Sequence, residues 1–416
     1  MLTKPIKAVL LGYGNRGENH SNYALTHPHE LKVVALAEPD PEKQEKFRIL
    51  HGVDKNRIFS SWEELLARPQ LAPALINCTQ DRIHFPSTVK AFSLGYHVLL
   101  EKPMATSPQD CIDMIAAQKK AGKILMIFHT LRYAPFFYML KEIVTSGQIG
   151  EIVSYEHKEN IANWHMAHSF VRGNWRKNSE SGPIILTKSC HDMDIIQWLM
   201  DRNCLRLSSF GSLQYFRGEN RPAGAPDRCT EGCPAELSCP YYAPRIYLTE
   251  NTGWPTAVIS VDKSYGARLK ALQEGPYGRC VFACDNDVCD HQVVAFEFAG
   301  GATANFTLCA FTSAELRTLK VMGTRGEIRG NMTSLEIFDF NSRLKQDLRF
   351  DQSKGHGGGD DRLIKNFVDV VSSENPSNIR TSAEISLESH LLAFATEEAR
   401  LKNTVIDFQK FKSLFS

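Results

Sequence analysis

The sequence predicts a two-domain α/β protein whose first domain is a doubly wound parallel sheet. Short apolar runs alternate with helical patterns over the first 130 residues, as in a parallel sheet with helices on both faces. A glycine-rich turn follows the first apolar run, and beyond about residue 150 apolar and polar residues begin to alternate. A chain of 416 residues is long enough for two domains of ordinary size. We therefore expect domains of 1–130 and 131–416.

The strand predicted over Ile6 to Leu11 leads directly into Gly12-Tyr13-Gly14-Asn15-Arg16-Gly17. In this G-x-G-x-x-G pattern the first glycine permits a tight turn, the second admits a pyrophosphate, and the third lets the next helix pack closely. A second strand, Leu31 to Ala37, ends in Glu38, roughly 20 residues after the last glycine, where a carboxylate that binds ribose hydroxyls is expected. We expect residues 12–17 and Glu38 to bind NAD. NADP is less favoured because the carboxylate would repel its 2′-phosphate.

Further predicted strands end in polar residues that should meet at one edge of the sheet. Ligands of such sheets bind beyond the carboxyl ends of the strands. Thr79-Gln80-Asp81, Glu101-Lys102-Pro103 and residues 129–133 are therefore expected to line one crevice. We assign Thr79, Gln80, His84, Glu101 and Lys102 to the cofactor. Lys102 should also lie near the nicotinamide as a catalytic cation, although a solvated lysine at a strand end is the alternative.

In the second domain, apolar residues flank a polar group and predict one helix over residues 184–200. On such a helix Thr187, Lys188, His191 and Asp194 share a face, because they lie three or four residues apart. Asp194 could orient His191, and the charge of Lys188 would favour the neutral, proton-accepting imidazole. A partly buried helix with a purely structural histidine–aspartate contact is the alternative.

Taken together, residues 12–17, Glu101-Lys102-Pro103 and the stretch from Gly182 through His191 to Leu199 resemble the Gfo/Idh/MocA family of oxidoreductases. The resemblance covers nearly the whole chain. It implies an N-terminal Rossmann dinucleotide-binding domain and a C-terminal α+β domain with a large open, mainly antiparallel sheet. It also implies hydride exchange between NAD(P) and a carbinol of a sugar, polyol or cyclitol, in homodimers or homotetramers.

By position, the resemblance gives Lys102 the role of contacting the reacting oxygen and His191 that of the acid/base. The chain departs from the family at Thr187, where many members have an aspartate. Two other activities therefore stay open. Some members cleave glycosidic bonds by transient oxidation of the sugar without net NADH, and a cofactor-binding sensor without turnover is the other alternative.

An aromatic and basic segment at residues 163–176 is expected to contact the substrate. Its cations suit hydroxyl or carboxylate groups, and a tryptophan suits a sugar ring. The expected substrate-binding residues are Arg132, His165, Arg172, Trp175, Lys188 and Asp194. A glycine-rich loop at 356–361 should reach the crevice, and the final helix should pack back on the first domain.

The cysteines cluster in an expected insertion near residues 225–290. Three lie close together, and a fourth thiolate from the second cluster could complete a tetrahedral site. We expect structural zinc on Cys229, Cys233, Cys239 and Cys280. Because eleven is an odd number, spread over a large chain, we expect mostly reduced thiols and a cytoplasmic protein.

Composition limits the partners that this protein can have. The 48 Lys and Arg nearly balance the 47 Asp and Glu, which gives no reason to expect nucleic acid as a partner. No run approaches the ~18 apolar residues of a membrane helix, and the N-terminal apolar stretch is too short for a signal sequence. We expect a small, sugar-like substrate and other copies of this chain, with neither nucleic acid nor membrane.

Overall fold

The computed structural model describes residues 4–313, 316–353, 355–373 and 378–415. It contains a six-stranded parallel sheet followed by a nine-stranded, mostly antiparallel sheet. The predicted class, a Rossmann-type first domain and an α+β second domain, is therefore confirmed. Among the described helices, none combines the length and the apolar character needed to cross a bilayer.

The first sheet has the strand order β3-β2-β1-β4-β5-β6, and all its pairings are parallel. The order reverses between β1 and β4, so the crevice opens there, at the carboxyl ends. Its strands are β1 Ile6–Leu11, β2 Leu31–Ala37, β3 Ile58–Phe59, β4 Ala74–Asn77, β5 His97–Leu100 and β6 Leu125–Ile127. Its helices are α1 Asn15–Thr26, α2 Pro41–His51, α3 Trp62–Leu66, α4 His84–Ser93 and α5 Pro108–Ala121.

Local signals explain why several of these elements match the predicted bounds. Helix α5 begins at Pro108 after Ser107, whose hydroxyl accepts a hydrogen bond from the Asp110 amide. It ends before Gly122, which adopts a left-handed φ of 62°. Sequence-local capping of this kind requires no knowledge of the rest of the fold.

The second sheet has the order β14-β13-β12-β11-β7-β10-β9-β8-β15. Strands β7 and β10 pair in parallel, and the other pairings are antiparallel. Its strands are β7 Ile152–Ala162, β8 Cys204–Ser212, β9 His291–Phe298, β10 Thr303–Thr312, β11 Thr318–Gly323, β12 Gly326–Gly330, β13 Ser334–Asp339, β14 Lys345–Arg349 and β15 Ile406–Asp407.

The predicted helix over residues 184–200 is wrong, because the structure has two helices there with a break at residues 188–189. The amides of Lys188 and Ser189 both bond to the carbonyl of Ile184, so the regular ladder stops. The remaining helices are α6 Pro135–Thr145, α7 Asn163–His165, α8 Asn178–Ser181, α9 Ile184–Thr187, α10 Cys190–Met200, α11 Ala243–Tyr247, α12 Thr256–Ile259, α13 Tyr265–Glu274, α14 Gly359–Ser373, α15 Ala383–Lys402 and α16 Phe408–Ser413.

Two C-terminal helices connect the domains. Helix α14 buries Leu363, Phe367 and Val370 in the same core as Leu10 and Leu31 of the first sheet. Helix α15 lies mainly along α10 and β8 and also contacts α5 and β6. The core of the first domain therefore includes residues from the far end of the chain.

Candidate active site

The glycine turn after β1 leaves space for a bound group at one position only. A Cβ on Gly12 would lie 2.5 Å from the carbonyl oxygen of Cys78, and one on Gly17 would lie 2.0 Å from that of Gly12. At Gly14, in contrast, a Cβ would meet nothing within 4 Å. The turn therefore packs tightly at both ends and is open in the middle, beside the N-terminus of α1. This arrangement fits the pyrophosphate of a dinucleotide.

Glu38 lies at the edge of the same turn and is 5% exposed. Its carboxylate accepts hydrogen bonds from the amide of Tyr13 at 2.6 Å and that of Asp40 at 3.1 Å. These bonds fix the carboxylate where adenosine ribose hydroxyls are expected. Thr79 bonds to the side chain of Asn77 at the end of β4, and the exposed Gln80 follows it. The backbone and carboxylate groups present here fit NAD.

Three of the predicted cofactor contacts are engaged with the protein itself. Glu101 accepts from Arg16 Nε at 2.8 Å and from the backbone amide of Lys102 at 3.0 Å, and its carboxylate also lies 2.7 Å from His20 Nε2. Although burial opposes it, the Arg16 charge and the His20 hydrogen bond hold the pKa of Glu101 well below its ordinary value. Both ring nitrogens of His84 lie within 3.0 Å of the carbonyls of Pro103 and Thr79. The side chains of Arg16, His84 and Glu101 thus support the loops of the crevice.

Lys102 extends from the end of β5 across to the second domain. Its Nζ donates to the carbonyl oxygen of Thr187 at 2.5 Å, at the last residue of α9. This bond places a cation beside the break between α9 and α10. His191 lies in the first turn of α10, close enough for the Lys102 charge to lower the pKa of its imidazole. The structure therefore brings the two predicted catalytic residues together.

His191 is 6% exposed, and Nδ1 has no hydrogen-bond partner among the residues that the structure describes. Burial and then the charge of Lys102 lower the pKa of His191 well below its ordinary value. The imidazole is therefore neutral near pH 7 and can accept a proton. Its ring centroid lies 5.6 Å from that of His129 and 5.9 Å from that of His356.

The expected contact between Asp194 and His191 is not formed. Asp194 instead accepts two bonds from the guanidinium of Arg132, at 2.6 and 2.8 Å. The Arg132 guanidinium also lies over the ring of Trp198, at 5.2 Å from its centroid. This bidentate, buried pair leaves neither side chain open to a substrate, which corrects both assignments. The pair joins the loop after β6 to α10.

Lys188 lies in the break between α9 and α10, and its Nζ is 3.4 Å from Glu159. Glu159 also pairs with Arg317, which in turn binds Asp192 at 2.5 Å. Two cations and two carboxylates thus balance one another beside β7. Lys188 belongs to this network, so the expectation that it binds substrate is corrected, and the cation that chiefly lowers the pKa of His191 is Lys102 instead of Lys188.

In the aromatic segment 163–176, some of the predicted substrate-binding residues pack in the interior and one lies at the crevice. His165 packs edge-on against Trp254, with centroids 4.8 Å apart. Arg172 is fully buried and donates to the carbonyls of Arg279 and Tyr241, both at 2.7 Å. The expectation that Arg172 binds substrate is therefore corrected. Trp175 is half-buried and hydrogen-bonds Asp81, which places it at the crevice.

The expected zinc ion has no support. Cys229, Cys233, Cys239 and Cys280 do line one cavity. Within the described ranges, however, no group of three or more His, Cys, Asp or Glu side chains is arranged to hold a metal ion. Tetrahedral zinc requires every sulfur within ~2.3 Å of the same ion, which is a much tighter cluster.

Sequence reasoning placed His129 and the loop with His356 at the crevice but missed His390, whose ring centroid lies 5.4 Å from that of His129. Burial lowers the pKa of His129 to about 4 and that of His390 to about 3, so both are neutral at physiological pH. His390 Nδ1 lies 2.7 Å from the carbonyl of Ser386, and its Nε2 accepts from the amide of Met104. The loop at 356–361 does reach the crevice, since His356 contacts Asp360 at 3.1 Å and lies beside His191. His390 lies on α15, and no local motif could have revealed its position.

Asp81 was expected at the crevice, after β4, but sequence reasoning assigned it no role. It is 4% exposed, and Oδ2 has no donor in the part of the chain that the structure describes. Burial raises the pKa of Asp81 to about 7, despite the opposing Lys102 charge. A carboxyl group near half-protonation therefore lies within the influence of the Lys102 charge.

The raised pKa of Asp81 predicts a dependence of stability on pH. Between its ordinary pKa and about 7, the folded protein binds a proton that the unfolded chain has lost. The ligand-free wild type should therefore lose stability as the pH rises from about 5 to 8, while Asp81→Asn should not show this component. We therefore compare the Tm of Asp81→Asn with that of wild type by calorimetry. The Tm of the variant minus that of wild type should be a few degrees larger at pH 8 than at pH 5. Asp113→Asn, at an exposed site on α5, is the control; an equal trend in both variants would contradict the assignment.

Two family models match most of the chain. A model described as an oxidoreductase family with an NAD-binding Rossmann fold matches residues 6–129, and a model of the C-terminal alpha/beta domain matches residues 141–399. Similar solved structures include a levoglucosan dehydrogenase in complex with NADH and levoglucosan, with a TM-score of 0.72, 18% identity, and coverage of 97% of this chain and 100% of that one. An inositol dehydrogenase homolog from Azotobacter vinelandii, complexed with NAD+, has a TM-score of 0.72, 15% identity and 98% coverage of both chains.

The matches to curated relatives cover a smaller share of this chain than the matches to solved structures do. The protein YteT of Bacillus subtilis is 27% identical over 81% of this chain and 82% of its own. The 2,7-anhydro-N-acetylneuraminate hydratase of Escherichia coli is 30% identical over 46% of this chain and 48% of its own. Because the two models together span residues 6–399 with one short gap, this chain belongs to the Gfo/Idh/MocA family of oxidoreductases, as its sequence resemblance predicted.

Proposed function

We propose that the protein is an NAD-dependent oxidoreductase that moves a hydride between nicotinamide and a carbinol carbon of a sugar, polyol or cyclitol derivative. The observation that carries this proposal is the bond from Lys102 Nζ to the Thr187 carbonyl, beside a neutral His191. It joins the cofactor domain to the second domain at the carboxyl edge of the first sheet. A cation and a base therefore face the same point of the crevice.

Each of the two side chains has a distinct role in this proposal. When bound, NAD supplies the hydride acceptor. His191, neutral because it is buried near a cation, accepts the proton of the substrate hydroxyl. Lys102 donates a hydrogen bond to the same oxygen and stabilises the negative charge that develops on it. The ion pairs of Glu101 hold the Lys102 loop in place, so little reorganisation is needed.

A redox-neutral reaction is the second candidate. The relative from Escherichia coli that is 30% identical over about half of this chain is a hydratase by name, so members of the family are not limited to net oxidation. In such a reaction the substrate is oxidised, loses or gains a group at a neighbouring carbon, and is reduced again. The neutral His191 and the nearly half-protonated Asp81 offer two proton-transfer groups for these extra steps.

Loss of either catalytic side chain should affect turnover rather than folding. We expect Lys102→Ala and His191→Ala to lower kcat by about 10²–10⁴-fold, because each removes an interaction made in the transition state. The assay is a panel of sugars, polyols and glycosides, read both for NADH absorbance and for released or hydrated product. NADH formation supports the dehydrogenase, and product without NADH supports the redox-neutral reaction.

Lys119→Ala and His29→Ala, at exposed positions of the first domain, are the matched controls and should keep wild-type rates. If wild type binds NAD but converts no compound, a non-catalytic sensor becomes the better reading. Near-normal turnover in both Lys102→Ala and His191→Ala would rule out the proposed roles.

For the cofactor, we propose NAD in preference to NADP, on the basis of the buried Glu38 carboxylate. A 2′-phosphate would meet this charge at close range, so NADP should bind at least about tenfold more weakly. Glu38→Gln should narrow the difference between the affinities for NAD and NADP. Glu42→Gln, which changes an exposed residue in the first turn of α2, should leave that difference unchanged. Titration calorimetry measures both constants, and tighter binding of NADP by wild type would reverse this proposal.

We also propose that the chain forms a homodimer or homotetramer through its second sheet and that it resides in the cytoplasm. The outer face presents apolar side chains on paired strands, since Phe210 is 64% exposed and its cross-strand partner Val293 is 44% exposed. Neighbouring exposed apolar residues of this kind are typical of an interface. The eleven free thiols among the described residues agree with a reducing compartment.

Val293→Lys should dissociate this assembly, because it places a charge in the middle of the apolar face. Light scattering coupled to size exclusion should show the mass falling to that of one chain. Val405→Lys, which changes a valine that is 58% exposed and precedes β15, is the control. A wild-type protein that is monomeric at micromolar concentration would contradict this proposal.

A further inference from the structure

Oxidation of an alcohol by NAD releases one proton for each hydride transferred, and this proton must leave the site before the next turnover. In the proposed function His191 receives it. Burial and the charge of Lys102 both disfavour the imidazolium that results. Because His191 is only 6% exposed, it needs a neighbouring group that passes the proton on to solvent.

The two side chains that sequence spacing placed beside His191 do not supply this group. Thr187 stands where many members of the family have an aspartate, and its hydroxyl donates to the carbonyl of Pro183 at 3.3 Å. Asp194 is engaged by both arms of the Arg132 guanidinium. Neither side chain, on α9 or on α10, thus offers the proton a way out.

Three other histidines lie near His191, and they differ in their access to solvent. The ring centroid of His129 is 5.6 Å from that of His191, and the ring of His390 lies a further step away, at 5.4 Å from His129. Both of these side chains are fully buried. The ring of His356 is 5.9 Å from that of His191, and its side chain is 32% exposed. Of the three, it is His356 that connects His191 to solvent.

The surroundings of His356 suit a group that carries a proton. Its Nδ1 lies 3.1 Å from both carboxylate oxygens of Asp360. When Nδ1–H donates to this carboxylate, Nε2 becomes the proton acceptor, and the negative charge stabilises the imidazolium that forms. Asp360 also binds Arg16 at 3.0 and 3.3 Å, which anchors the pair to the first domain. Although burial opposes it, the charges of Arg16 and His356 hold the pKa of Asp360 well below its ordinary value.

The backbone of this loop supports the position of the histidine. His356 has a φ of 48°, in the left-handed region that side chains rarely adopt. Such conformations concentrate at functional sites, where the surrounding structure enforces them. A Cβ on Gly359 would lie 2.4 Å from the carbonyl oxygen of Thr130, so the loop packs directly against the segment that follows β6. Close packing therefore holds His356 beside His191.

We propose that His356, oriented by Asp360, carries the substrate proton from His191 to solvent. His191 takes the hydroxyl proton as the hydride leaves the carbinol carbon, and then gives it to Nε2 of His356, directly or through one water molecule. His356 releases it at its exposed side, which returns both imidazoles to the neutral form. For reduction the same route runs inward. The pair thus supplies, from the far end of the chain, the relay that Thr187 does not, and this inference rests on the proposed dehydrogenase activity.

The test uses His356→Asn, which tolerates left-handed backbone but carries no proton, and His356→Ala. Each is assayed with NAD and the compound of the panel that wild type oxidises fastest. In dilute buffer kcat should fall by about 10- to 100-fold, at or below the low end of general acid–base effects. The ratio kcat/KM should stay near its wild-type value, because proton release follows hydride transfer. Added imidazole should restore kcat as its concentration rises, since it replaces the missing relay.

Asp361→Ala, at the exposed position after Asp360, is the matched control and should keep wild-type rates with and without imidazole. Stopped-flow absorbance then separates the relay from a direct role in the chemical step. Since His191 is intact in the variants, their first equivalent of NADH should form at the wild-type rate before a slow steady state begins. Far-UV circular dichroism and NAD binding report folding, and either variant suffices if the other does not fold.

An unchanged kcat, no effect of imidazole, or an equal loss in the first turnover and the steady state would overturn the relay while leaving the dehydrogenase activity in place. If wild type forms no NADH from any compound, the proposed function fails and the relay fails with it.

Discussion

The crevice depends on the carboxylate of Glu101. It receives Arg16 from the start of α1, His20 from one turn later and the backbone of Lys102 from the end of β5. Arg16 extends the connection, because it also binds Asp360 at the start of α14, at 3.0 and 3.3 Å. Three segments that are far apart in the chain, α1, the loop after β5 and the start of α14, are thus joined through the pair of Glu101 and Arg16. Without Glu101, Arg16 would be left partly unpaired and the Lys102 loop would lose its anchor.

Charge balance around this carboxylate also affects the electrostatics of Lys102 and His191. Arg16 satisfies Glu101 and Asp360 together, so the ammonium of Lys102 is left to face the second domain. Its field adds to burial in keeping His191 neutral. Asp81 is buried as well, and the Lys102 charge and the Trp175 hydrogen bond offset the loss of solvation of its carboxylate only in part. Its pKa therefore rises, while that of Glu101 falls. Two carboxyl groups near one lysine therefore carry different charges at neutral pH.

Much of the first domain could be predicted from sequence because its signals are local. The glycine turn, the bounds of β1 and β2, and the caps of α5 depend on neighbouring residues. The second half of the site could not be predicted in this way. Lys102 bonds to the Thr187 carbonyl at the break in the predicted helix. Arg132 pairs with Asp194, which lies 62 residues later in the chain, so Asp194 does not contact His191. Spacing on one predicted helix drew attention to His191, but contacts between the domains decide which neighbouring side chains affect its pKa.

The segment 166–172 links the cysteine cavity to the crevice. It is a π-helix, a form that is rare and concentrated at functional sites, and its last residue, Arg172, enters the cavity. Three residues later Trp175 hydrogen-bonds Asp81, beside Lys102. The segment therefore leads from the insertion, where Arg172 bonds to the carbonyls of Arg279 and Tyr241, to the crevice, where Trp175 bonds to Asp81.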